Sequence, residues 1–325
     1  MEKKYYNNLI VSSSPHAVNN EDTQRIMGMV ILALIPSLCV STYVFGPRVL
    51  ILTAVCVLSS VLFEYLWNML MKKPQTVGDL SAALTGLLIA FNVPANLPYY
   101  IAIIGSAIAI IVVKQLFGGL GHNLFNPAIT ARIVLFISFA TQMTTWPVPR
   151  NAATDALTGP TPLGLLKEGG AGADLPSNMD MLLGTIGGSM GEVSAIALII
   201  GGLFLIWKKV ISPITPVCFI GTVFIIALIA TGDINMAIFH ILAGGVMLGA
   251  FFMATDYVTT PLLPLGKVIF GVGCGIMTML VRLFGAYPEG VSFGILLMNV
   301  LTPHIENFCV NRLYKTKKEG AKDEK

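Results

Sequence analysis

Long apolar runs alternate along the chain with short polar or Gly- and Pro-rich breaks. Ten runs approach the roughly 20 residues that a helix needs to cross a hydrocarbon core. They cover about 26–46, 49–70, 77–93, 98–115, 127–145, 190–207, 211–231, 234–254, 265–285 and 290–310. Their apolar positions are continuous instead of alternating, so they predict helices and not the strands of a membrane barrel. Breaks fall at Asn92-Val93-Pro94 and between Pro261 and Pro264. Irregular backbone is tolerated at membrane depth where it is buried in protein or lines a cavity. The pattern predicts an all-α polytopic membrane protein with about ten transmembrane helices.

The two halves resemble each other. The interval from Pro94 to Gly118, in Gln115-Leu116-Phe117-Gly118, equals the interval from Pro261 to Gly285, in Arg282-Leu283-Phe284-Gly285. A Gly-containing loop and a Phe then lead into another run, at Phe125 and at Phe293. Runs three to five thus match runs eight to ten. Five spans per half is an odd number, so the second copy is expected to be inverted. Such repeats meet near the bilayer midplane, where broken helices line binding sites. The expected units are a cytoplasmic segment 1–25, a first five-helix repeat 26–145, a loop 146–189, a second repeat 190–310 and a basic tail 311–325.

Composition agrees. The chain of 325 residues is 55% hydrophobic and 11% charged, with mean hydropathy +0.78. A soluble domain carries about 25% charged residues, so a cytosolic enzyme and a disordered protein are both excluded. The partner that this composition demands is the lipid bilayer. A net charge of +3 gives no reason to expect nucleic acid. Five cysteines lie in apolar stretches without a CxxC pair and read as buried thiols. The four histidines are scattered, which argues against a protein-only haem or zinc site. Segment 1–25 is polar and includes Glu21 and Asp22, unlike a signal peptide.

Basic residues set the orientation. With the N-terminus in the cytoplasm, 15 of the 20 basic residues are cytoplasmic, among them Lys114, and four are outside: Arg48, Arg150, Lys167 and Arg282. Arg132 lies inside the fifth run. Both termini are therefore expected in the cytoplasm and loop 146–189 outside. A connection this long is usually functional or disordered.

Ionisable groups inside a span need partners, because each costs about 2.5–3.5 kcal/mol to insert. Glu64 lies deep in the second run, Asp79 begins the third, Arg132 sits one turn into the fifth, Asp256 follows the eighth and Glu306 is near the end of the tenth. Arg132 either locks the fold through a carboxylate or helps to form a polar chamber. Asp256 is the stronger functional candidate, because Thr255, Thr259, Thr260 and Pro261 around it suggest unwound backbone facing a cavity. A second constellation runs from Gly118 through His122, Asn123 and Asn126 to Pro127 and Ala128. Its glycines permit close backbone approach, and Asn126-Pro127 suits a helix start whose free N–H groups face a ligand oxygen. The competing reading is a tight helix-packing turn.

The loop 146–189 contains Asp155-Ala156-Leu157-Thr158-Gly159-Pro160-Thr161-Pro162-Leu163. By composition it is a turn. It also resembles the pattern Asp-x-x-Ser/Thr-Gly-Ala-Thr, which marks covalent attachment of flavin mononucleotide (FMN) through its phosphate to the final Thr hydroxyl. Together with the ten runs, the Gly-His-Asn-Leu-Phe-Asn-Pro-Ala stretch, Ala254-Thr255-Asp256 and the early Ser14-Pro15-His16, this resembles the RnfD/NqrB family: D subunits of Rnf ion-translocating ferredoxin:NAD oxidoreductase complexes, and the related B subunits of sodium-pumping NADH:quinone reductases. The resemblance covers nearly the whole chain. Position 160 is Pro where the family usually has Ala, which stiffens the turn and removes one N–H.

The resemblance implies a prokaryotic cell-membrane subunit that carries covalent FMN on Thr161 as an electron relay, with Asp155, Thr158 and Gly159 shaping the attachment turn. His122, Asn123, Asn126 and Asp256, singled out above from their own chemistry, are further cofactor-contacting candidates, and the resemblance implies noncovalent riboflavin as a second flavin. The implied partners are other membrane subunits, a second flavin-carrying subunit, and cytoplasmic iron–sulfur and NAD-binding subunits. The chain itself has no dinucleotide fingerprint and no cysteine cluster. A five-plus-five inverted repeat of this kind resembles urea channels, so the rival function is a passive solute channel or transporter without a redox role.

Overall fold

The computed structural model describes residues 22–150, 158–169, 175–285 and 287–323. The chain is mostly helical. Helix α1 (Thr23–Phe45) starts where the Asp22 carboxylate accepts the Thr23 N–H at 2.7 Å, and stops at Gly46, whose φ of 94° needs glycine. Helix α2 (Arg48–Leu70) returns alongside. Helix α3 (Ser81–Phe91) is half the length of a span, because Asn92-Val93-Pro94 ends it. Helix α4 (Tyr99–Ala107) runs on as a π-helical stretch, Ile108–Gln115. Helix α5 (Pro127–Ser138) gives way at Phe139 to a short α6 (Ala140–Thr144).

The long connection carries structure of its own. Strands β1 (Trp146–Pro147) and β2 (Thr158–Gly159) pair antiparallel, with Trp146 opposite Gly159. Helices α7 (Pro162–Gly169) and α8 (Asn178–Leu183) follow. The second half then holds α9 (Ala195–Trp207), α10 (Ile214–Thr231), α11 (Ile234–Leu242), α12 (Val246–Leu248) with a π-helical continuation Gly249–Met253, α13 (Pro264–Phe284) and α14 (Val291–Asp323).

All ten apolar runs of the sequence form helix, but not ten equal spans. Among the described helices α1, α2, α10, α13 and residues 291–313 of α14 are each long and apolar enough to cross a membrane. Helix α11 and the α12 segment make a sixth, bent by 64° at the break between them. Helices α3, α5, α9 and the joined α4 stretch are apolar but shorter, at 10–17 residues.

The packing of the first half recurs in the second. Helix α2 packs on α3 and α4 as α10 packs on α11 and α13. The π-helical end of α4 packs on α5 as α13 packs on α14, while α1 meets α9 and α5 meets α14 across the middle. The first Leu-Phe-Gly triplet follows the end of the α4 stretch at Gln115, and the second overlaps the end of α13, whose last residue is Phe284. Small residues allow these approaches. A Cβ on Gly86 of α3 would lie 2.6 Å from the Cys56 carbonyl oxygen of α2, and one on Gly271 of α13 would lie 2.9 Å from the Thr215 carbonyl oxygen of α10.

Three irregular segments converge inside the bundle: residues 92–98 after α3, 184–194 before α9, and 243–245 between α11 and α12. Segment 184–194 folds back into the protein. There Met190 N–H donates to the Val93 carbonyl at 3.2 Å and Gly191 N–H to the Phe91 carbonyl at 2.8 Å. These bonds satisfy backbone that the end of α3 would leave open.

Candidate functional site

The first candidate is a cavity at the end of the bundle where α1 begins. It is a partly open cleft with a cavity volume of about 100 Å³. Its walls come from the first turn of α1, from α3, from the turn before α5 and from segment 251–258. Asn123, Asn126 and Asp256, far apart in sequence, all line it. His122 does not: it is exposed, in the turn held by Gly118, Gly119 and Gly121, all at positive φ.

Asn126 caps α5 as its Asn-Pro pairing predicts. Its Oδ1 accepts the Ala128 and Ile129 N–H groups at 3.1 and 3.3 Å, and its Nδ2 donates to the Met253 carbonyl at 3.4 Å. The N–H groups of this helix start are thus already taken by Asn126. Asn123 donates from Nδ2 to the Phe125 carbonyl at 3.1 Å. Asp256 lies in the unwound segment expected of it. Its Oδ2 accepts from Thr259 Oγ1 at 3.0 Å, and its main-chain carbonyl accepts from Thr260. Burial pushes its carboxyl above the usual range, opposed by the Thr259 hydrogen bond.

Lys114 and Ser81 also line this cavity. Lys114 is 2% exposed and Glu64 1%. Lys114 Nζ donates to both Glu64 oxygens at 2.9 and 3.0 Å and to Ser81 Oγ at 2.5 Å, using all three of its protons. Ser81 Oγ in turn donates to Asp79 Oδ1 at 2.6 Å, while Thr76 Oγ1 and Gln115 Nε2 complete the Glu64 shell at 2.8 and 3.1 Å. Asp79 precedes α3 in a single 3₁₀ turn and anchors its first residue through the Ser81 N–H at 2.9 Å. This network supplies the partner that Glu64 required.

The second candidate surrounds Thr161, which is 6% exposed. Thr158 is exposed on β2, and Gly159 lies beside it. Asp155 lies outside the described residues. Thr161 Oγ1 accepts the Gly164 N–H at 3.1 Å, so this hydroxyl caps the start of α7. A small pocket beside it is lined by Ile186, Gly187, Gly188, Gly244, Glu192 and Glu289. Among the described residues, Thr161 thus lines a different pocket from Asn123, Asn126 and Asp256.

Between the two lies a buried charge cluster. Arg132 donates to Asn92 Oδ1 at 2.9 Å, to Glu192 Oε1 at 3.4 Å and to Glu289 Oε2. Burial and Glu192 push the Glu289 carboxyl up, and Arg132 and Arg282 oppose them. Arg282, in the last turn of α13, donates to the His240 and Ala243 carbonyls. Sequence reasoning placed Arg132 here but missed Glu192, Glu289 and His240. The glycine-rich run before Glu192 is the signal that could have exposed it. Lys114 and Arg282 also prove to be buried and not loop charges, which changes the basic asymmetry from fifteen against four to fourteen against three. Among the thiols, Cys56, Cys274 and Cys309 are buried as expected, Cys218 is half-buried and Cys39 is exposed.

A polytopic helical bundle with several helices long and apolar enough to cross a membrane defines an integral membrane protein. The chain belongs to the NQR2, RnfD, RnfE family, whose sequence profile matches residues 10–315. It is 51% identical over 319 residues to the D subunit of the Na⁺-translocating ferredoxin:NAD⁺ oxidoreductase complex of Acetobacterium woodii, covering 96% of this chain and 98% of that one. It is 44% identical over 315 residues to the D subunit of the proton-translocating ferredoxin:NAD⁺ oxidoreductase complex of Clostridium ljungdahlii, covering 92% and 93%. A third relative, the D subunit of the ion-translocating oxidoreductase complex of Actinobacillus succinogenes, is 36% identical over 344 residues, covering 93% and 97%.

Proposed function

We propose that this chain is the D-type membrane subunit of a complex that transfers electrons from reduced ferredoxin to NAD⁺ and exports Na⁺ or H⁺, with FMN carried on Thr161. Near-complete coverage by D-type relatives, at up to 51% identity among those compared, is the observation that carries this reading. The first two relatives are named for different ions, so similarity leaves the ion open. NAD⁺ and ferredoxin chemistry belongs to partner subunits, and the basic asymmetry supports cytoplasmic termini with Thr161 outside. Equivalent packing in the two halves supports two inverted five-helix repeats, 26–145 and 190–310.

The residues at Thr161 fit a phosphate-linked group. Its hydroxyl stands at the start of α7, where the helix dipole favours an anion and the Gly164 N–H already donates to the Thr161 side chain. A phosphate oxygen can replace the hydroxyl as acceptor for Gly164 N–H. Glu192 and Glu289 in the small pocket repel phosphate, which directs the attached group away from that pocket. Pro160 and Pro162 hold the attachment residue on both sides.

The walls of the cleft at the other end have the chemistry that noncovalent riboflavin needs. Leu88, Phe251 and Phe252 offer apolar walls for a flat ring, and Asn123, Asn126 and Thr85 offer hydrogen bonds at its edge. Lys114 is the single cation among the lining residues and is spent on Glu64, which suits a flavin without phosphate. Bound flavins supply one- and two-electron redox steps; the chain supplies binding, orientation and exclusion of water. In the assembled complex, Thr161→Ala should reduce ferredoxin-dependent NAD⁺ reduction to a small fraction of normal. An unchanged rate would leave the chain only an anchoring role.

A further inference from the structure

We infer that Arg132 is an electrostatic seal: clamped by Asn92, Glu192 and Glu289, its guanidinium shuts the polar line between the cavity and the Thr161 pocket to cations. The inference rests on the chain crossing the membrane and not on its carrying flavin.

The line can be followed residue by residue. Asn126, on the cavity wall, donates to the Met253 carbonyl, and Asn92 Nδ2 approaches Met253 Sδ at 3.7 Å. Asn92 Oδ1 accepts from Arg132, and Arg132 donates onward to Glu192 and Glu289. Those two carboxylates line the pocket beside Thr161. Asn126 and Arg132 are six residues apart on α5, about 9 Å along its axis.

The surrounding backbone points the same way. Non-helical segments at membrane depth occur where they line a cavity or are buried in protein, and three of them meet here. Asn92 comes from the break after α3, Glu192 from the segment that folds back beside it, and Gly245 from the bend before α12. A Cβ on Gly245 would lie 2.8 Å from Glu192 Oε1 and 3.6 Å from Arg132 Nη1, so glycine makes room for the clamp.

Charge decides the role. Arg132 and Arg282 face Glu192 and Glu289, and because burial pushes the Glu289 carboxyl up, the cluster leans positive. A fixed guanidinium on a narrow polar line repels cations, as in pores that exclude protons through an arginine. Without Arg132, two carboxylates face one arginine and the line attracts cations. A passive channel would need this line open, whereas a coupled translocase needs it shut at rest.

The test uses the assembled complex in sealed liposomes loaded with Na⁺, without an electron donor. Wild type should hold the gradient. Arg132→Gln should raise passive Na⁺ efflux by about tenfold, the effect of lowering a barrier by about 1.4 kcal/mol, with little change for chloride. Arg132→Lys keeps the charge and should stay near the wild-type rate. Gly245→Ala displaces Glu192 without removing a charge and should also raise efflux. Wild-type efflux in assembled Arg132→Gln would overturn the seal. If that variant does not assemble, Gly245→Ala decides, and wild-type efflux in it would overturn the inference equally. In-gel flavin fluorescence of the same variants reports separately on Thr161.

Discussion

Glu64 shows how a buried charge is resolved at the scale of single residues. Its place deep in an apolar run was legible as a group needing a partner. The partner was not, because Lys114 stands far along the chain at the end of another run and reads there as a loop charge. Periodicity says which residues share a face but not which faces meet. Removing one member of a buried pair strands the other and costs about 3–5 kcal/mol. Glu64→Gln should therefore lower the thermal stability of the detergent-solubilised complex sharply. The double variant Glu64→Leu with Lys114→Met removes both charges and should recover most of that loss. A single variant as stable as wild type would contradict the burial of the pair. Asn126 is the opposite case: cap and following proline are adjacent in sequence, so local chemistry placed it correctly.

Helices were read well where a run is continuous and less well where tertiary contacts end it. Helices α1, α2, α10 and α13 match their runs closely. The third apolar run extends to 93, but α3 spans only Ser81–Phe91, with Asp79 in a separate 3₁₀ turn and Leu80 at a φ of 62° between them. The eighth run looks unbroken in hydropathy, yet Gly244 at positive φ and the 64° bend divide it. Close packing at glycine gives a test at this scale. Gly86→Ala drives a Cβ into the α2 backbone and should cost about 1–3 kcal/mol. Gly221→Ala, in α10 with nothing within 4 Å of the added Cβ, should be neutral or slightly stabilising through helix propensity. Melting curves of the two variants should separate in that order, and equal curves would contradict the close approach of α2 and α3.

Across the whole molecule, the sequence conveyed the class of protein, because hydropathy is spread along the chain. It did not convey the buried charge cluster, whose members come from α5, segment 184–194, α13 and the loop before α14. Orientation is tested by cysteine labelling. A cysteine at position 170 should react with a membrane-impermeant maleimide added outside intact cells, and labelling only after permeabilisation would reverse the proposed topology. The central claim, that Thr161 carries flavin, is tested most directly on a denaturing gel, where only covalently held flavin stays with the polypeptide. The band of this chain should fluoresce in wild type and in Thr158→Ser, and go dark in Thr161→Ala. Thr161→Ala that still fluoresces would place the flavin on another residue, and a dark wild-type band from the assembled complex would remove it from this chain.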